Sequence, residues 1–411
     1  MKKIALLSCT PNGGKTYLDY LKNVLNYLLE IYNNTPPQQK LCQIDFFQLN
    51  GEMMDVGLTI SETENYLQYK VKAINNQTDF FKLFNYDVVF FNQPFLIPYF
   101  PDKVFCVNIL HGNALTPSQP QENYFSWLAY QDAFICPSDS LLKACYDELT
   151  VCRKKHNNKF ENLVYNQKRS HIRKTFAAKT QPIKQENFFN INDYKNVDKD
   201  NLTIAIFPAA PQVIGNDVSL FNSFNLIIES IAKNFPTTKI IFRSHAINFY
   251  KNDNGEYISH INGLAKAVQK LEQIIPNFYV DTFKKSSSEF FNQCDILITD
   301  GSSGGVSFLL NKAMPPIYYI PRNVVKTKIN VHNFVALQKN KVLFAHSIKE
   351  LIKQINHCIN LTKEQRINYF NNYCENDLFL EVDTKQVLKN IIENNIKNFP
   401  YIDEKGNVFD F

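Results

Sequence analysis

The sequence predicts an α/β protein of two domains. Three observations carry that expectation. Short apolar runs with the character of buried strands alternate with stretches of helical periodicity. Polar or glycine-bearing turns follow several of those runs directly. A polar stretch, residues 185–200, separates one such series from another. With 411 residues the chain is long enough to bury a large core, and a length of this order divides naturally into two domains. The expected boundaries are 1–190, 191–345 and, for a C-terminal helical region, 346–411.

The clearest single unit runs from Cys294 to Arg322. Ile296-Leu297-Ile298 reads as a buried strand, followed by Thr299, Asp300 and the turn Gly301-Ser302-Ser303-Gly304-Gly305. A short helix through Leu310 and a second strand, Ile317 to Ile320, complete it. The turn therefore sits at the carboxyl edge of its first strand, where ligands of open α/β sheets bind. Glycines allow close approach of a backbone to an anion, and a helix start offers unpaired amides. The turn could equally be a tight connection closed by a serine cap.

Composition narrows the classes. Apolar residues make up 45% and charged residues 20%, a soluble globular mixture, and the formal charge of +5 is too small to imply nucleic acid. The nine cysteines form no CxxC or regular framework, which suggests reduced thiols in a cytoplasmic protein. Cys9, Cys106 and Cys294 lie in or beside apolar runs and are expected to be buried. The opening MKKIALLSC is too short for a signal sequence, and no run reaches the roughly 18 apolar residues of a spanning helix.

In order, Lys3 to Cys9 reads as a strand and Tyr17 to Tyr32 as a helix with Leu18, Leu21, Val24, Leu25 and Leu28 on one face. Between them, Gly13-Gly14-Lys15-Thr16 lacks the first glycine of a nucleotide loop, Cys9 standing in its place. Gly13 and Gly14 are either a cleft-lining turn or a plain one. Leu41 to Leu49 is a strand, Glu62 to Ile74 a helix, and Tyr86 to Phe91 and Val104 to Leu110 are strands. The last runs into His111-Gly112, which suits a cleft-facing general base or a structural histidine bonded to its loop. Asp132 to Cys136 is a strand, with Ser138 or Ser140 read as a helix cap.

From Arg153 to Lys184 lysines and arginines stand against a single acidic residue, Glu161. The segment predicts a positive surface, suited to an anionic membrane leaflet or a phosphate-rich polymer, or a solvated connector. It lacks the aromatic interleaving of single-stranded nucleic-acid sites.

In the second half, Leu202 to Phe207, Lys239 to Phe242 and Phe278 to Asp281 read as strands. Ser223 to Phe235, Ile261 to Ile275 and Ser286 to Cys294 read as helices. Arg243-Ser244-His245 follows a strand and suits a diphosphate or departing phosphate, or else a local structural network. Beyond Arg322 a polar connection leads to helices at Ser347–Cys358, Lys363–Tyr373 and Thr384–Ile396. His332, His346 and His357 are read as surface or packing residues, and no metal-ligand pattern is present.

These residues, taken in order, resemble the CDP-glycerol glycerophosphotransferase family of teichoic-acid-type polymer synthesis. NILHGNAL at Asn108–Leu115 resembles that family's His-Gly motif, and KIIFRSHA at Lys239–Ala246 its second histidine strand. DTF at Asp281–Phe283, CDILITDGSS at Cys294–Ser303 and IAIFPAAP at Ile204–Pro211 resemble its later segments. Ala246 replaces the usual proline and Gly301 the usual tyrosine. The acidic residue expected in the following helix has no clear counterpart, and the basic or aromatic signature after His-Gly is absent.

The resemblance implies a GT-B-like fold, two Rossmann-like domains facing a cleft, with the donor mostly on the second. The activity it implies is transfer of a polyol phosphate, glycerol phosphate from CDP-glycerol, to a hydroxyl of a cell-surface glycan or lipid-linked acceptor. His111 would take the hydroxyl proton. Arg243 and His245 would offset phosphate charge, Asp300 would orient donor hydroxyls or a histidine, and Ser302, Ser303 and nearby amides would hold phosphate oxygens. Gly112 and the glycines of both turns complete the expected site. No obligate metal or cofactor is expected beyond the nucleotide-activated substrate. The alternatives are a GT-B glycosyltransferase with a nucleotide-sugar donor, a nucleotide-sugar epimerase, and a non-catalytic surface-assembly binding protein. The expected location is cytoplasmic, peripheral at the inner face of the membrane if the basic segment engages lipid. The oligomeric state is left open.

Overall fold

The computed structural model describes residues 2–8, 14–33, 42–49, 58–92, 97, 99–110, 130–156, 173–183, 188–244, 249–252, 254–281 and 287–410. They divide into two compact units. Described residues up to 183 and from 378 onward form the first, and 188–377 the second.

In the first unit β1 (Lys2–Ser8), β2 (Cys42–Leu49), β3 (Val71–Ile74), β4 (Val88–Phe91), β5 (Phe105–Ile109), β6 (Ala133–Cys136) and β7 (Thr175–Lys179) run parallel. The second unit contains β8 (Thr203–Ile206), β9 (Lys239–Phe242), the hairpin β10 (Phe249–Lys251) and β11 (Tyr257–Ser259), β12 (Phe278–Val280), β13 (Ile296–Thr299), β14 (Ile317–Tyr319) and β15 (Leu343–Ala345). The chain then returns to the first unit with β16 (Tyr401–Ile402) and β17 (Val408–Phe409). β16 pairs antiparallel with β7. Among the described residues the sheet orders are β17-β16-β7-β6-β5-β4-β1-β2-β3 and β12-β9-β8-β13-β14-β15.

Strand alternation explains how each sheet is covered. In β1, Ile4 and Leu6 belong to the core on one face of the sheet, while Ala5 and Leu7 belong to the core on the other. The first face is covered by helix Gly14–Asn33, which buries the expected Leu18, Leu21, Val24, Leu25 and Leu28, and by helix Thr384–Glu393 with Leu388, Ile391 and Ile392. Each such side chain contributes roughly 1.5–3 kcal/mol when fully buried. The second face carries helix Asp139–His156 through Leu141, Leu142 and Cys145. Its first turn is capped by Ser138, whose hydroxyl accepts from the Leu141 amide at 3.3 Å.

Several expectations are corrected. Glu62 to Ile74 is not one helix. The helix Ile60–Leu67 starts at a Thr59/Glu62 capping box and stops at Gln68, which is left-handed at φ 53°; β3 follows. The stretch beyond Arg322 carries helices Arg322–Thr327 and Ile329–Leu337 and then β15. The basic segment contains β7, and most of its described cations are engaged within the unit. Arg153 is 3% exposed and donates to Arg173 O and Thr175 Oγ1. Arg173 pairs with Asp132 and Asp102, Lys179 with Asp410, and Lys174 lies over the Tyr401 ring. Residues 157–172 of that segment lie outside the described residues. The 346–411 stretch divides at 377/378, its first part in the second unit and its remainder, including two strands, in the first. Cys106 and Cys294 are fully buried and in no disulfide among the described residues, while Cys9 lies outside the described residues.

Candidate active site at the carboxyl edge of the second sheet

β8 is the first strand of its sheet in sequence. β9 and then β12 lie on one side of it, and β13 and then β14 on the other. The order reverses between β8 and β13, and a reversal of this kind opens a crevice at the carboxyl ends of a doubly wound sheet. Four segments leave the sheet there: Phe207–Ala210 after β8, Arg243-Ser244 after β9, Asp281 after β12, and Asp300–Gly305 after β13.

Asp300 is fully buried. Its Oδ1 accepts from the Ala209 amide and its Oδ2 from the Leu220 amide, both at 2.8 Å. The carboxylate thus ties the β8 loop and the turn at Leu220 to the end of β13. Burial pushes its pKa up to about 7, against the lowering effect of those amides. Asp300 was expected to orient donor hydroxyls or a histidine; each of its oxygens accepts from one backbone amide.

The turn that follows is shaped by two aromatic rings. A Cβ on Gly304 would stand 2.6 Å from Phe207 Cε1, and one on Gly305 would overlap the Tyr318 hydroxyl. Tyr318 is buried and its hydroxyl donates to Ser302 O at 3.1 Å. Phe207 is held by Phe290 and Phe291. These two glycines make room for rings. Gly301 is buried.

Ser302 Oγ accepts from the Gly304 amide at 3.1 Å, and Ser302 O from the Gly305 amide at 3.1 Å. The helix Gly304–Lys312 starts there. Ser303 is half-buried, and its hydroxyl has no partner among the described residues.

Arg243 is also fully buried. It pairs with Asp281 at 3.3 Å and lies 4.8 Å over the Phe290 ring. Burial lowers its pKa, opposed chiefly by the Asp281 charge. Two neighbours that sequence reasoning passed over are Ser244 and Thr299. They are 1% and 0% exposed, and their hydroxyls have no partner among the described residues. Nothing in their sequence context marked them except position directly after, or at the end of, a buried strand. Phe207 and Tyr318 were read only as strand residues, although a ring against a glycine is what fixes the turn.

Of the other expected residues, His111, Gly112, His245 and Gly13 lie outside the described residues. β5 ends two residues before His111, and Arg243-Ser244 leads directly to His245. Gly14 begins helix Gly14–Asn33 of the first unit. Among the described residues no group of three or more His, Cys, Asp or Glu side chains is placed to hold a metal ion, and no helix is long and apolar enough to cross a membrane.

No protein-family model and no curated protein matches this chain. Solved structures do. A UDP-N-acetylglucosamine 2-epimerase described as such for Listeria monocytogenes superposes with a TM-score of 0.53 at 9% identity, over 97% of this chain and 97% of that one. The S. aureus MnaA–UDP structure matches at 0.49 and 11%, over 90% and 91%, and the wall teichoic acid polymerase TagF at 0.47 and 14%, over 96% and 89%. The likeness is one of fold. This chain has the expected GT-B-like fold of two Rossmann-like α/β domains.

Proposed function

We propose that this chain is a transferase using a nucleotide-activated donor, with donor phosphate held at the Asp300–Gly305 turn. The observation that supports it is the position of that turn: at the strand-order reversal, on a helix start, with the Ser303 hydroxyl uncommitted among the described residues. Asp300 fixes the rim of the crevice and Arg243 supplies a buried positive charge beneath it.

The finer reading follows the family resemblance. The donor is CDP-glycerol, and the acceptor is a hydroxyl of a surface glycan or a lipid-linked chain. The acceptor oxygen forms a bond to the glycerol-bearing phosphorus, the bond from that phosphorus to the CMP oxygen breaks, and CMP leaves. His111 receives the acceptor proton. Donors aimed at the phosphoryl oxygens accelerate the step only where they favour its developing charge over the bound ground state.

Gly301, in place of the tyrosine of the resembled family, favours a second reading in which a nucleotide sugar is the donor and attack falls on the anomeric carbon. Purified protein incubated with CDP-glycerol and with UDP-sugars, with and without membrane extract, separates the two. Acceptor-dependent CMP release with gain of glycerol phosphate is the expected result. Release of a nucleoside diphosphate with gain of a sugar would establish the second reading, and donor isomerisation without acceptor an epimerase. Ser303→Ala is expected to lower turnover about tenfold while leaving the melting temperature unchanged, consistent with one lost hydrogen bond to phosphate. Unchanged turnover in that variant would remove the phosphate from this turn.

A further inference from the structure

The second unit holds a cavity at the opposite edge of the same sheet. Its volume is 890 Å³, within the roughly 300–1,000 Å³ of small-molecule sites. It opens beside the amino ends of β8 and β13, where Asp295 precedes β13 and accepts from the Thr203 amide at 2.9 Å through Oδ2. The helix that starts at the Asp300–Gly305 turn ends here, with Lys312 on the cavity wall.

Its lining is polar and of both signs. The Lys312 ammonium makes a long contact, 3.5 Å to Asn292 O, and its charge interacts with that of Asp295 across the cavity wall. The second Asp295 oxygen, Oδ1, accepts no hydrogen bond among the described residues. Asn311 Oδ1 is buried with no partner among the described residues, its amide nitrogen reaching Ser288 at 3.4 Å. Asn292 is exposed at the rim.

Arg366, 4% exposed, is largely committed to the protein, its three nitrogens donating to Ala313 O, Lys195 O and Lys312 O at 3.2, 2.8 and 2.7 Å. It satisfies carbonyls at the helix end, which would otherwise make that wall an acceptor surface. What remains is two ammonium groups, Lys312 and Lys195, set against two carboxylates, Asp295 and Asp198, with several asparagine amides and the ring of Phe189 as an apolar wall.

We propose that this cavity is a second ligand site, for a neutral polyhydroxylated molecule, a saccharide or polyol unit. Each hydroxyl of such a ligand both donates and accepts, which a mixed set of ammonium, amide and carboxylate groups can satisfy and a uniformly charged one cannot. The carboxylate beside Lys312 disfavours an anion. The site is separate from the donor crevice and does not rest on the function proposed above.

The test is saturation-transfer NMR and calorimetry on the full chain with glycerol, glucose, N-acetylglucosamine and maltotriose as probes, and inorganic phosphate as the anionic arm. The expected result is saturable binding of at least one neutral probe, weakened at least tenfold by Lys312→Met and by Asn292→Trp. Asn292→Trp fills the rim from an exposed position, so it keeps the test open should the buried end of Lys312 prove necessary for folding. Tighter binding of maltotriose than of glucose identifies a glycan chain as the source of the ligand, and equal or weaker binding a free unit. The proposal is overturned if no neutral probe saturates the wild-type chain, if both variants bind as it does, or if phosphate alone binds.

Discussion

At Asp300 a carboxylate sits where water does not reach, holding two backbone amides that would otherwise have no partner. The same burial raises its pKa to about 7, above the ordinary value of about 3.9 in an unfolded chain. Between those values the folded state binds the additional proton, so the stability contributed by this group is greatest at low pH and declines as pH rises toward 7. From pH 5 to pH 8 the wild-type chain is expected to lose on the order of 2–3 kcal/mol more than Asp300→Asn, in urea titrations at the two pH values. Asp300→Asn is itself less stable at pH 5 by about 1–3 kcal/mol, because its amide group can accept from only one of the two backbone donors. A difference between the two chains that does not change with pH would mean an ionised Asp300 throughout. Gly305 offers a second test at this scale. Gly305→Ala drives a methyl into the Tyr318 ring and should cost about 1–3 kcal/mol. Adding Tyr318→Phe removes the nearest atom and should return part of that loss, a coupling that a double-mutant cycle reads directly.

Elements were legible where a period ran long enough to be unambiguous. The helix Gly14–Asn33 and strands β1, β4, β5, β8, β9 and β13 stand within a few residues of their expected positions. The failures have physical causes. Val71 to Ile74 continued an apolar pattern that a short window could not separate from the preceding helix, and only the left-handed Gln68 divides them. β7 was hidden because its neighbours are cationic. The meaning of Arg153, Arg173 and Lys179 depends on acids that arrive from Asp132, Asp102 and Asp410, distant in sequence. In the same way Arg243 was legible as a charged residue beside a crevice, while its partner Asp281 and the ring of Phe290 were not legible as its surroundings. The basic segment therefore carries a prediction. Arg173→Met leaves the nearly buried Asp132 without its guanidinium and should cost about 1–3 kcal/mol in chemical denaturation. Lys154→Met, at an exposed position, should stay within about 0.5 kcal/mol. Equal, small effects would return Arg173 to a surface role.

On the scale of the whole molecule, each unit is a closed piece of packing, but they are not consecutive in sequence. Residues 378–410 supply the first unit with helix Thr384–Glu393, whose Leu388, Ile391 and Ile392 lie in its core, and with strand β16 beside β7. A chain ending at Asp377 is expected to lose the cooperative unfolding of the first unit while keeping that of the second, as two calorimetric transitions reduced to one. Retention of both would show that the first sheet is complete without its late strands.

That arrangement sets an order of events at the ribosome. Lys179 and its partner Asp410 lie 231 positions apart, an interval of about 10–50 s at the usual pace of translation of roughly 5–20 residues per second. Throughout that interval the emerging first unit has an open β7 edge and one helix missing from a sheet face, while 188–377 already contains everything its own core requires. The half that is translated later is the half that can finish first. Exposed strand edges in waiting chains invite pairing with other chains. A nascent-chain profile of this protein should therefore show chaperone occupancy that persists past residue 300 and is released only as the final strand clears the exit tunnel.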